Sequence, residues 1–307
     1  MADTTCTWGH KPAWQYIVKD PNPAYLNLNE ITGIDPVQGS ALDCYFIAAL
    51  SSLAWTCLSQ IKRPKADGSL QHIFFKDPKD LTQKVRVTAN TLTETLIVDN
   101  TINYNQQAAR SNTPDEIWPG IYEKMYAKAI GIAGCGGDAA KPDIINRMGE
   151  GNALFCLFQL TGWTQEPRLS STYASGDALW KDLTDNLVIS KKMRYPTVAW
   201  TKDGFNASGT AIVPKHSYSV LGTHTVDKTN YIVLRNPFGA IIPSSVGIYS
   251  GAWTYTDTEF VRGGGASIPP AGGAWFNIPL SLDTKIGLFG IEPKDFLTYF
   301  EGFGYID

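Results

Sequence analysis

The sequence predicts a mixed α+β fold, with helices dominating its first half and strands its second. Three observations carry this. After Cys44, the residues Phe46, Ile47, Leu50, Leu53, Ala54, Cys57 and Leu58 recur at helical spacing, interrupted only by Ser51, Ser52, Thr56 and Ser59, so this helix is enclosed on most sides. A second helical stretch runs from Asp115 to Ile130 with Trp118, Ile121, Tyr122, Met125 and Ala129 on one side, and is expected to pack beside the first. From Thr197 onward the pattern turns to strands, glycine clusters and aromatics.

Taken in order, residues 1 to about 37 are rich in Pro, Asn and Asp with scattered aromatics and read as a loop-rich lead-in docked on the body. Past the Cys44 helix, His72–Lys76, Val85–Thr88 and Leu96–Val98 read as strands between polar turns. A glycine cluster at 131–137 leads to a polar helix near Pro142–Met148 and an apolar run Ala153–Leu160. Thr161-Gly162 is a natural hinge, dividing a lead-in and helical half (1–162) from a β-rich half (163–307). An amphipathic helix is expected over Asp177–Met193. Gly263–Gly265 with Pro269-Pro270 reads as a long loop, and no internal repeat is present.

With 307 residues, of which 43% are hydrophobic and 12% aromatic, the chain has enough apolar material for a substantial core. A net charge of −3, with both signs dispersed, argues against a nucleic-acid groove or a polybasic membrane anchor. No apolar run approaches a membrane span, and Met1–His10 has neither the basic start nor the apolar core of a signal peptide. The five cysteines (Cys6, Cys44, Cys57, Cys135, Cys156) are odd in number and widely spaced, which fits neither a zinc site nor a disulfide framework. Together these point to the cytoplasm or another reducing compartment.

The chemistry centres on Cys44. A free cysteine is more often a small core residue than a nucleophile. In the first turn of a helix the unpaired N–H groups and the helix dipole are expected to lower the thiol pKa, and what changes that balance is Gln38 together with residues farther along the chain. Asp43 is expected to cap the same helix. Gln38, six residues upstream across a Gly-containing loop, can fold back to donate to an oxyanion. Farther on, Lys215–Gly222 and Asn230–Gly239 form a hairpin turning at Asp227–Thr229, so His216 at the start of one strand meets Asn236 at the end of the other. In a thiol hydrolase the imidazole takes the thiol proton while the carboxamide holds the ring in the useful tautomer. His10 and His224 lie away from this pair.

These blocks together resemble the calpain family of cysteine peptidases, from about residue 20 to the end. The resemblance rests on Gln38-Gly-Ser-Ala-Leu-Asp-Cys44, Trp118-Pro with Glu123–Lys128, Lys215-His-Ser-Tyr-Ser219, Leu234-Arg-Asn-Pro-Phe-Gly239, Gly251-Ala-Trp253 and Asp295–Phe300. It implies a papain-like two-lobed cysteine peptidase fold, with the nucleophile on the helical lobe and the His/Asn pair on the β-rich lobe. It also implies Cys44 as nucleophile, His216 as acid–base, Asn236 as orienting residue, and Gln38 with the Cys44 N–H as oxyanion hole. Protein or peptide substrates follow, cleaved through a thioester acyl-enzyme. The chain departs from the family at Leu42 (usually Gly), Tyr45 (usually Trp) and Phe238 (usually Trp). It shows the protease region without the β-sandwich and calcium-binding helical modules of the larger relatives, so regulation by such modules is not expected.

Two readings from other classes stand beside endopeptidase activity: a thiol amidase, deamidase or acyltransferase on the same scaffold, and a catalytically silent binding module. Calcium is the one cofactor the resemblance raises. Asp35 stands where the family places a calcium-binding carboxylate, yet a gap-free count puts Gly134 at its acidic partner, and Asp138 could substitute only if the glycine loop is re-spaced. A hard cation needs several oxygens, and an Asp beside a Pro is more often a turn residue. The expectation is therefore activity that requires no metal.

Overall fold

The computed structural model describes residues 32–57, 61, 109–112, 118–129, 148–206, 212–239, 247–250 and 286–307, with short strands at 5–6, 16–18, 73–75, 86–88, 97–98, 101–103, 252–254 and 279–281. Five α-helices are present among these residues: α1 (Cys44–Thr56), α2 (Trp118–Ala129), α3 (Ala153–Thr161), α4 (Gly176–Asp182) and α5 (Pro293–Tyr299). The strands β1 (Gln165–Leu169), β2 (Val188–Ile189), β3 (Lys192–Thr201), β4 (Ser217–Val226), β5 (Thr229–Arg235), β6 (Ile248–Tyr249), β7 (Leu288–Ile291) and β8 (Phe300–Ile306) form one antiparallel sheet. Its order is β6-β7-β5-β4-β3-β8-β1, with β2 paired to β3.

Alternation along these strands buries both faces of the sheet. Val198 and Ile306 join the core of α1, α2 and α3, where Phe46, Ile47, Leu50 and Leu53 are fully enclosed. Burial of each such side chain is worth about 1.5–3 kcal/mol. Leu221, Val233 and Leu288 also face this side, packed with Ile34 and Trp55. Their neighbours Val220, Ile232, Leu234 and Phe289 point the other way, onto Leu179 and Leu183 and onto Phe296 of α5. Helices therefore cover the sheet on both sides.

The polar interruptions of α1 serve as its contacts with the sheet. Ser52 Oγ donates to the Thr197 carbonyl at 2.8 Å and accepts from the Thr197 N–H at 2.6 Å. Both Thr197 groups lie where the β3–β4 register slips between Lys192 and Thr197. Ser219 Oγ donates to the Ala48 carbonyl and Trp55 Nε1 to the Leu221 carbonyl. Beside α1, the Phe46 ring stacks on Tyr126 of α2 at 4.3 Å.

The expected helix over Asp177–Met193 is shorter. After α4 the chain makes one π turn over Leu183–Leu187, then reverses through Ser190 (φ 48°) and Lys191 (φ 70°) into the β2–β3 hairpin. Two successive positive φ values make the tight turn whose twist matches antiparallel strands. The lead-in, expected to be loop-rich, carries the strands Thr5–Cys6 and Tyr16–Val18, paired to Ile97–Val98 and Thr101–Asn103. Ile73–Phe75 pairs with Arg86–Thr88, within two of the expected strands. The glycine cluster at 131–137, the polar helix before Met148 and the Gly263–Gly265 loop lie outside the described residues. Among the described residues no helix is long and apolar enough to cross a membrane.

Gly222 marks where this packing is tightest. A Cβ there would fall 1.9 Å from the Lys191 carbonyl oxygen, which also accepts from the Thr223 N–H at 2.8 Å, so the obstruction is backbone already held in place. Gly222→Ala is expected to cost about 1–3 kcal/mol of stability, read as a lower midpoint in urea denaturation.

Candidate active site

Cys44 is the first residue of α1 and is only partly exposed. Across from it, the turn before β4 delivers His216. Thr201 fixes that turn: its N–H donates to the His216 carbonyl and its Oγ1 accepts from the His216 N–H. The next residue, Ser217, presents its backbone N–H and its side chain to the Cys44 thiol. The hairpin turns at Asp227 (φ 48°) and Lys228 (φ 67°), which returns β5 so that Asn236 arrives beside His216. His216 Nε2 lies 3.0 Å from Asn236 Oδ1, which leaves Nδ1 as the ring nitrogen that Asn236 does not engage.

The pair is shielded on two sides. Phe238 stacks on the imidazole at 4.6 Å and 24°, and Tyr218 meets it edge-on at 4.9 Å. The Phe238 N–H also donates to Asn236 Oδ1, at 3.0 Å. His216 is buried, and desolvation lowers its pKa to about 4 against the opposing hydrogen bond to Asn236.

Gln38 reaches the same place. Its backbone N–H donates to the Pro237 carbonyl at 2.8 Å, and Val37 packs on Gly239, whose absent Cβ would fall 2.8 Å from Val37 Cγ2. Gln38 Nε2 donates one proton to the Ala41 carbonyl, which fixes the side chain and keeps the second N–H for another acceptor. Tyr45, at the family's usual Trp position, is buried with its hydroxyl on the Met148 carbonyl at 3.1 Å. Leu42 is 63% exposed, an apolar side chain in solvent two residues before the thiol. Of the residues brought together here, Thr201 and Ser217 carried no sequence signal beyond Ser217 being next to His216.

Two expectations about the thiol are corrected. Its pKa is raised: burial is the largest cause and the adjacent Asp43 charge adds to it, and together they outweigh the Ser217 and Tyr45 donors. Asp43 occupies the cap position, but its side chain makes no capping hydrogen bond.

A family model for calpain family cysteine proteases matches residues 5–262. The chain belongs to that family. No curated protein matches it significantly. Family membership makes the protein of the cysteine peptidase kind, a thiol hydrolase class acting on proteins.

Asp35, where the family's calcium ligand was expected, is buried. It accepts from Thr32 N–H, from Thr32 Oγ1 at 2.8 Å and from Trp118 Nε1 at 3.4 Å, with the Arg235 cation close by. A carboxylate surrounded by donors and a guanidinium does not fit a divalent cation. Gly134 and Asp138 lie outside the described residues.

The resting electrostatics give a measurable signature. A raised thiol pKa and a depressed imidazole pKa both favour the neutral pair near pH 7. The alkylation rate of Cys44 by iodoacetamide in the free protein is expected to keep climbing past the ordinary thiol range. A plateau at neutral pH would instead mark a preformed thiolate–imidazolium pair.

Proposed function

We propose that the chain is a papain-like cysteine endopeptidase of two lobes, divided near residues 162 and 163, that cleaves extended protein segments through a thioester at Cys44. The observation that carries this is the His216–Asn236 hydrogen bond under Phe238, beside a thiol whose next neighbour is Ser217. The Cys44 sulfur attacks the scissile carbonyl as its proton passes to His216 Nδ1. The oxyanion forms against the Cys44 N–H and the free N–H of Gln38 Nε2. His216 then protonates the leaving amine, and water attacks the thioester with His216 as base. Asn236 keeps the ring oriented by accepting from Nε2. A raised thiol pKa and a lowered imidazole pKa favour attack and proton transfer in one step.

One observation favours a silent binding module: the thiol takes its hydrogen bonds from Ser217 and Tyr45 in the resting structure. Mass analysis after treatment with a peptidyl vinyl sulfone separates the two, since a silent module leaves Cys44 unlabelled. A fluorogenic peptide panel with product analysis separates cleavage from deamidation or acyl transfer.

In that assay Cys44→Ala and His216→Ala are expected to abolish hydrolysis, and Asn236→Ala to leave residual activity. Gln38→Ala is expected to lower kcat by about ten- to a thousand-fold with little change in KM, the loss of one oxyanion donor. Casein cleavage by Cys44→Ala at the parent rate would falsify the assignment.

The donors around Asp35 support activity that requires no calcium. Hydrolysis is expected to survive EDTA; activity lost to chelator and restored by calcium would overturn this.

A further inference from the structure

Asp is among the best N-cap residues because its carboxylate accepts from the N–H of the second or third helical residue. In α1 those residues are Tyr45 and Phe46. Asp43 has φ −119° and ψ 28°, away from the extended geometry of a capping residue, and only its backbone carbonyl serves the helix, accepting from the Phe46 and Ile47 N–H groups. Its carboxyl group turns into the core and meets Glu123 of α2.

Both side chains are fully buried. Glu123 Oε2 accepts from the Ala109 N–H at 2.7 Å, while Glu123 Oε1 and both carboxyl oxygens of Asp43 meet no N–H or O–H donor. Two carboxylates cannot both ionise side by side at that depth. One proton held between them removes a charge and supplies the missing donor. Among the described residues the ionisable groups facing the pair are Cys44 and Tyr45 from α1, Tyr126 from α2 and Cys156 from α3, none of them cationic. Burial first, then the Asp43 charge, drives Glu123 well up; Asp43, raised to about 6 by burial, is held back by its hydrogen bond to Glu123. Glu123 therefore carries the proton and Asp43 the charge. The Tyr45 N–H, which a capping carboxylate would occupy, is directed at the Cys44 sulfur.

We infer that Glu123 is a positioning residue for the nucleophile: it holds the Asp43 carboxylate off the start of α1, leaving the Tyr45 N–H for the Cys44 sulfur. This rests on the peptidase reading of Cys44. Without Glu123 the Asp43 side chain is released to cap α1. The helix start is then better satisfied, but the Tyr45 N–H is spent and a negative charge moves toward the sulfur.

The test compares Glu123→Leu, Glu123→Met and Glu123→Gln, and adds Asp43→Ala to whichever apolar variant folds. Two readouts are taken on each: kcat and KM with one peptide, and the pH profile of Cys44 alkylation by iodoacetamide, which needs no peptide cleavage. The apolar variant is expected to lose about ten-fold or more in kcat with KM little changed, and to shift its alkylation profile to higher pH. Glu123→Gln, whose amide still donates to Asp43, is expected to stay within about three-fold of the parent, and Asp43→Ala, which cannot cap, to recover much of the apolar variant's loss. An apolar variant matching the parent in both readouts overturns the inference. So does a folded Glu123→Gln as impaired as the apolar variant. A parent that hydrolyses no peptide, with alkylation profiles shifting as described, overturns the peptidase reading and leaves the positioning role standing.

Discussion

The fully buried guanidinium of Arg235 is the constraint on which the site's assembly depends. It donates from Nε to the Ile286 carbonyl, from Nη1 to Ser51 Oγ and from Nη2 to the Ile34 carbonyl. Those partners belong to the lead-in of β7, to the middle of α1 and to the loop that runs on to Gln38. Arg235 itself ends β5, so its neighbour is Asn236. Burial lowers its pKa to about 10, partly offset by Asp35, which leaves the group charged at neutral pH. A buried charge with several good acceptors costs about 3–5 kcal/mol when a partner is removed. The elements bearing Cys44, Gln38 and Asn236 are thus tied to one side chain that tolerates little displacement.

The same loop explains the role of Asp35. It closes a turn onto Thr32 and reaches Trp118 of α2, while Asn112 holds the Ile34 carbonyl and Ser51 the Gly33 carbonyl. Gly33 sits so close to Trp55 that a Cβ would fall 2.5 Å from the Trp55 Cβ. The Gly33 and Ile34 carbonyls and the Asp35 carboxylate are each held by a neighbour, which fixes the segment that leads to Gln38.

What the sequence revealed was what is local. Helical spacing after Cys44, the strand pair around Asp227-Lys228 and the meeting of His216 with Asn236 all follow from patterns within a few dozen residues, and the structure has each of them. The Asp177–Met193 region misled because Ser190-Lys191 is not a glycine- or asparagine-rich turn, yet both residues adopt positive φ. The serines of α1 read as interruptions in an apolar helix; they are the groups that dock it on Thr197 and Arg235. The Asp43 cap failed for a non-local reason, since its partner Glu123 lies on another helix. The thiol pKa failed likewise: the helix start is visible in sequence, whereas the depth at which the sulfur is buried is not.

These corrections share one physical logic. A helix start that caps itself with a carboxylate gains stability of about 1 kcal/mol but consumes the N–H groups that make the position reactive. In this chain those donors are left to the sulfur, and the displaced carboxylate is buried instead against a protonated glutamic acid. Burial likewise raises the thiol pKa and lowers that of the imidazole, which favours the neutral pair at rest. On the proposed peptidase reading, reactivity depends on unspent donors more than on a preformed thiolate, and the buried acid behind the helix is part of that arrangement.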